Sequence, residues 1–257
     1  MTTRTLPVIE RNGMAFGVDP KRSQTFSLRQ ARYFEIMLEV QERFPDHFTS
    51  SPPPDKLKFL DIGVQNGVSK KYLELIDRGA IDYAGADLAL NDELERPEDW
   101  TLYFGDFQNG YPEIPSNSFD VVICEQVIEH LPSYEKAMQA IERVAKPGGL
   151  IIIGVPIFPD GLHLIRRYVV PPLDKLLKRK KIRGHVQAFS RRSFVQDIKR
   201  LTTLTIEKTR GFRIVSGGVL RPLENKEWYW RANREIGRNL PGACIEIQVV
   251  ATKPSAA

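Results

Sequence analysis

The chain is poor in cysteine. Its 257 residues include only Cys124 and Cys244, with no CxxC pair. A disulfide framework is therefore excluded, and both read as buried free thiols of a reducing compartment. Long apolar runs are lacking too. The longest, around 150–158, falls far short of the ~20 residues a spanning helix needs. The opening Met1-Thr-Thr-Arg-Thr-Leu-Pro7 has no apolar stretch of a secretory signal, so a cytoplasmic protein is expected. Repeats and low-complexity tracts are absent. Histidine is scarce, with only His47, His130, His163 and His185. Glu125, Glu129, His130 and His163 offer metal-ligand chemistry, but no carboxylate cluster has metal-ligand spacing, so no metal is expected.

What is present reads as a soluble globular chain. Hydrophobic content of 42% and charged content of 27% exclude disordered and collagen-like classes. The length allows one large domain or two small ones. Net charge is +5, but unevenly spread. Between Arg166 and Arg192 ten basic residues face only Asp174, so that window carries +9 and the remainder is mildly acidic. Such a segment is either a solvated face or a contact for an anionic partner.

Periodicity divides the chain. Residues 1–25 are irregular. Phe26 to Phe44 has helical spacing, with Phe26, Tyr33, Phe34, Met37, Leu38 and Val40. Ser51-Pro-Pro-Pro-Asp55 breaks it as a stiff linker. Short strands then alternate with helices: strands at 57–62, 81–87, 100–104, 119–124 and 150–155, and helices at 68–77 and 133–145. Gly79 is the expected C-cap of the first helix and Ser133 the N-cap of the second. Residues 190–201, 204–215, 224–238 and 244–251 read as helix, strand, helix and strand. This alternation implies a parallel sheet with helices on both faces.

The chemistry concentrates in Leu60-Asp61-Ile62-Gly63-Val64-Gln65-Asn66-Gly67, between a strand and a helix. Its glycines permit a tight turn and close approach of a ligand. Asp87 follows Gly67 by twenty residues, at the end of the next strand, where a carboxylate suits ribose hydroxyls. Both features predict a nucleoside-containing cofactor. Three details favour S-adenosylmethionine over a dinucleotide. The Gly63-x-x-x-Gly67 spacing is not GxGxxG. Asp61 would repel a pyrophosphate and suits an ammonium. Gly105-Asp106-Phe107 offers an acceptor for an adenine amino group.

With these residues the chain resembles class I S-adenosylmethionine-dependent methyltransferases of the small-molecule, type 11-like family. The matching stretches are LDIGVQNG (60–67), AGADLA (84–89), GDF (105–107), SFDVVICEQVIEHLP (118–132) and RVAKPGGLIIIGVP (143–156), with a weaker match through 185–212. The resemblance implies an α/β, Rossmann-like, seven-stranded, mainly parallel sheet with helices on both faces and an antiparallel last strand. To it are added an N-terminal helical extension and linker (1–55) and, within the domain at 56–257, a lid insertion at 157–185 after strand 5. It implies that Asp61, Gly63, Gln65 and Gly67 line the methionine end, and that Asp87 and Leu88 lie at the ribose. Asp106 would meet the adenine amino group, Phe107 would offer its backbone amide, and Glu125 would lie under the methionine moiety. Gln65 departs from the family, which has a glycine there, and makes the loop bulkier.

The acceptor side is less legible. A hydroxyl acceptor benefits from a general base. His185, in Gly184-His185-Val186-Gln187-Ala188-Phe189-Ser190, is the first choice. His130, after the fourth strand, and His163 follow, while His47 reads as an exposed helix-end residue. Residues 173–183, with Leu173, Leu176, Leu177 and Ile182 among lysines and arginines, read as a basic amphipathic lid. It suits an anionic or lipid-linked acceptor or a peripheral membrane contact. Trp228, Tyr229 and Trp230 suit core packing, a pocket or a homodimer interface. The expected activity is methyl transfer to a hydroxyl oxygen of a small molecule, with a saccharide or glycan or lipid precursor preferred. An RNA-directed methyltransferase or RNA-binding protein, which the basic window would suit, is disfavoured. Cys124-Glu125-Gln126-Val127 is not the Asn/Asp-Pro-Pro-aromatic tetrad, and no Pro-Cys nucleophile occurs. A catalytically silent scaffold is the remaining alternative.

Overall fold

The computed structural model describes residues 10–11, 14–15, 31–49, 55–170, 172–173, 186–214, 222–223 and 226–255. Seven strands form one sheet: β1 (Leu57–Ile62), β2 (Ile81–Asp87), β3 (Thr101–Phe104), β4 (Phe119–Glu125), β5 (Ala145–Pro156), β6 (Thr205–Phe212) and β7 (Glu246–Thr252). Their order is β3-β2-β1-β4-β5-β7-β6. β7 runs antiparallel to both neighbours, and the other pairings are parallel. The chain moves outward from β1 through β3, then returns to β4 on the other side of β1. That reversal opens a crevice beyond the C-terminal ends of β1 and β4, where ligands of open α/β sheets bind.

Each face of the sheet carries its own core, because successive strand residues point to opposite sides. Leu60, Ile62, Val122, Cys124, Ile151 and Ile153 pack with α4 (Glu135–Val144) and α5 (Arg191–Leu201). Phe59, Val121, Ile123, Ile152 and Val250 pack on the opposite face. There they meet α1 (Ala31–Arg43), α3 (Val68–Leu73) and α6 (Glu227–Asn239); α2 (Pro45–Thr49) is a single turn. β4, covered on both sides, is apolar from Val121 to Cys124.

Several details depart from the sequence reading. A two-residue antiparallel pair, Glu10–Arg11 with Met14–Ala15, lies in the stretch expected to be irregular. Asn12-Gly13 separates the two in sequence, a pair that hairpins favour. The third helix stops at Leu73 rather than Asp77, so Gly79, although left-handed, does not cap it. Ser133 does not cap α4: Tyr134 is the N-cap, and the Ser133 hydroxyl donates to Glu135 instead. Residues 26–30, the linker at 51–54 and lid residues 174–185 lie outside the described residues.

α1 also buries charge, which its apolar spacing did not announce. Glu35 and Glu39 are 2% and 3% exposed. Glu35 accepts Arg234 at 2.8 Å and Arg238 at 2.7 Å from α6, and Arg210 of β6 at 3.3 Å. Glu39 takes Arg210 at 3.1 Å and Lys208 at 2.8 Å. The arginines hold the Glu35 carboxyl well below the usual range despite its burial. This ionic clamp fixes α1 against the sheet edge opposite β3.

Candidate active site

Three strand ends build the site. After β1 the chain turns sharply, with Gly63, Gln65 and Gly67 all at positive φ, +81°, 44° and 69°. A side chain at Gly63 would run into Val127 beyond β4, and one at Gly67 would come within 2.9 Å of Leu94. Asp87, ending β2, ties the turn down. It accepts from the Gln65 amide at 3.0 Å and from the Leu88 amide at 2.7 Å. The Leu88 side chain is 71% exposed beside this turn. After β3, the Gly105 amide donates to the Asp87 carbonyl at 3.0 Å. Exposed Asp106 then caps a 3-10 turn by accepting from the Gln108 amide at 2.9 Å. Phe107 is buried and stacked on Tyr111. Thus Asp61, Gly63, Gln65, Gly67, Asp87, Leu88, Asp106 and Phe107 gather along one sheet edge.

Asp61 and Glu125 project from β1 and β4 toward the α1 face, two register steps apart. Asp61 is buried and accepts a hydrogen bond from the Ser69 hydroxyl of α3. Among the described residues no cation faces it, and burial, aided by the Asp87 charge, pushes its carboxyl up to about 7. Glu125 accepts from Gln248 at 2.8 Å and pairs with Arg32 of α1 at 3.5 Å. It fits only because Gly154 opposite has no side chain. Burial pushes it up to about 8 against the pull of Arg32 and Gln248. Arg32 also meets Glu246 at 3.5 Å, and Glu246 is held in turn by Arg213.

The described histidines lie on separate elements. His130 lies in the 3-10 turn after β4, its ring 3.8 Å from the Glu129 carboxylate. His163 sits in a short turn after β5, its Nδ1 buried without a partner. His47 is half-buried against Phe44 rather than exposed. His185 lies outside the described residues, as does the lid except Leu173 within 173–183. Among the described residues no three metal-ligating side chains converge. Both cysteines are buried thiols. Sequence reasoning missed Arg32, Gln248 and Glu246, which reach the site from the N-terminal helix and the last strand. No local pattern marks them.

Residues 60–153 match a family model described as a methyltransferase domain. The strand order agrees with that match, so over this stretch the chain is similar to methyltransferase domains, whose enzymes use S-adenosylmethionine. One similar protein is the ubiquinone biosynthesis O-methyltransferase of Leptothrix cholodnii, 31% identical over 107 residues, covering 38% of this chain and 44% of that one. The chain spans about half the length of the curated relatives it matches. Among solved structures, a putative sarcosine dimethylglycine methyltransferase from Galdieria sulphuraria superposes with TM-score 0.57 at 17% identity, covering 87% of this chain and 86% of that one. The [4+2]-cyclase SpnF superposes with TM-score 0.54 at 14% identity, covering 93% and 86%. A cyclase on the same fold shows that architecture alone does not assign the reaction.

Proposed function

We propose that this chain is an S-adenosylmethionine-dependent methyltransferase acting on a hydroxyl oxygen of a small molecule. The observation that carries the reading is Asp61: a buried carboxyl with no cationic partner among the described residues, under a left-handed glycine turn. A cationic ligand supplies what that carboxyl lacks. The cofactor, when bound, supplies an electrophilic methyl group on a sulfonium. Asp61, Gly63, Gln65 and Gly67 bind its methionine end, with Glu125 beneath. Asp87 and Leu88 meet the ribose, and Asp106 with the Phe107 amide meets the adenine. The chain's remaining task is to align the acceptor and exclude water.

The O-methyltransferase relative supports oxygen as the receiving atom. For the acceptor class we keep a saccharide or a glycan or lipid precursor, bound under the lid at 157–185. Leu162, Leu164, Ile165, Tyr168 and Val169 stand exposed beside Arg166 and Arg167. That mixture suits an anionic, lipid-linked acceptor and a peripheral membrane contact continuing through 173–183. The N-terminal extension of 1–55 acts with the domain at 56–257, since α1 shares its core.

Calorimetric titration tests the reading. S-adenosylmethionine and S-adenosylhomocysteine are both expected to bind, the second with micromolar affinity. A screen of saccharides, lipid-linked sugars and quinols then finds the acceptor. Binding of neither nucleoside would overturn the assignment and favour a silent scaffold.

A further inference from the structure

A second buried carboxyl stands at the same sheet edge without a donor from any other described residue. Glu129 is fully buried in the 3-10 turn after β4, and among the described residues neither of its oxygens has a hydrogen-bond partner beyond its own backbone amide. Buried polar groups are rarely left so, and those that are call for an explanation. Glu125 differs, since Gln248 and Arg32 already engage it. The backbone around Glu129 is firmly placed. Its carbonyl accepts the Val186 and Gln187 amides at 2.9 and 3.0 Å. The Gln187 side chain donates to Leu131 and Pro132, each at 2.9 Å. The chain returning from the lid is thereby pinned to this turn. Gln126, at the entrance to the turn, is held left-handed with its buried Nε2 unpartnered. The turn thus presents unused polar capacity where the lid rejoins the sheet.

Resting on the methyltransferase assignment above, we propose that Glu129 accepts the proton of the acceptor hydroxyl and that His130 passes it to solvent. His130 suits the second task because its ring lies 3.8 Å from the Glu129 carboxylate while its side chain is 44% exposed. As the acceptor oxygen bonds the methyl carbon, its O–H bond breaks. The carbon–sulfur pair returns to sulfur, which becomes a neutral thioether. The proton moves to a Glu129 oxygen, then to His130 and water. The groups facing Glu129 are Arg32 of α1, Glu246 of β7 and the Cys124 thiol of β4. Burial pushes the Glu129 carboxyl up to about 7, with its own backbone amide and Arg32 opposing and Glu246 assisting. A base poised there works at neutral pH.

The test uses the full chain saturated with S-adenosylhomocysteine and carrying 13C-labelled glutamate. The Glu129 carboxyl signal, identified by its loss in Glu129→Gln, is expected to titrate near pH 7. A midpoint in the ordinary glutamate range, about 4.3, would overturn the proposal. On an acceptor that the wild type methylates, Glu129→Gln is expected to lose turnover about 10²-fold or more. It should also lose the rise of rate through neutral pH, and Glu129→Asp should restore part of both. Affinity for S-adenosylhomocysteine should hold in each variant. Turnover and pH profile equal to wild type would overturn the role. Failure of the wild type to bind S-adenosylhomocysteine would instead sink the methyltransferase reading.

Discussion

Two buried acidic clusters meet α1, and they are built in opposite ways. At the far edge of the sheet Glu35 is enclosed by Arg210, Arg234 and Arg238. At the crevice, among the described residues, Asp61 has a hydroxyl and no cation beside it, and neither Glu129 oxygen has a hydrogen-bond partner beyond its own residue. The first is charge-compensated and its glutamate is pulled down; the second is under-compensated and its carboxyls are pushed up. Compensation within the chain makes a clamp. Its absence leaves work for a ligand.

The largest effect is expected at the clamp. Glu35→Gln leaves buried Arg234 and Arg210 without their shared anion and should cost about 3–5 kcal/mol in denaturant unfolding. A loss below about 1 kcal/mol would show that the clamp is not stabilising. At the crevice the sign should reverse. Asp61→Asn should weaken S-adenosylmethionine binding by about 1.5–3 kcal/mol, read by calorimetry. It should leave the ligand-free protein as stable or more so at pH 8, since a disfavoured buried charge is gone.

The two clusters also divide the pH scale. Glu35, held low, contributes stability that is present above the ordinary glutamate range and lost on acidification. Asp61 and Glu125, raised to about 7 and 8, contribute stability that is present below the ordinary carboxylate range. That part is lost as pH rises through those values. Thermal melting of the ligand-free chain should therefore peak in mildly acidic buffer. Donor affinity should rise with pH through about 7 as Asp61 ionises. Affinity that falls over that interval would remove Asp61 as the partner of a cation.

Smaller effects sharpen the crevice. Asp87→Ala frees the Gln65 and Leu88 amides and should weaken donor binding by about 1–3 kcal/mol in calorimetry. Gln65→Gly relieves a left-handed non-glycine residue and should stabilise the fold by about 1 kcal/mol. A lower melting temperature in that variant would mean that the Gln65 side chain holds the turn.

The sheet was legible because its central strands are short apolar runs bounded by turns that carry glycine and aspartate. β4 and the 60–67 turn needed no tertiary knowledge. Helix ends were less legible. Tyr134 rather than Ser133 begins α4, because Glu135 takes the serine hydroxyl. On the acceptor side the sequence put His185 first, which lies outside the described residues, and the proposal for Glu129 rests on its burial. A carboxylate in a polar stretch reads as solvated until the fold shows it without solvent.

By itself, then, the sequence determined the order of strands and helices, the left-handed turn, and the acids at 61, 87, 106 and 125. These depend on neighbours within a few residues, which local pattern records. Only the tertiary structure decided which charges would be buried and which compensated. Arg32 reaches Glu125, and Arg234 reaches Glu35, across 93 and 199 residues of chain. Burial and pairing over such separations are set by packing, and packing decides whether an acidic side chain becomes part of a clamp or part of a site.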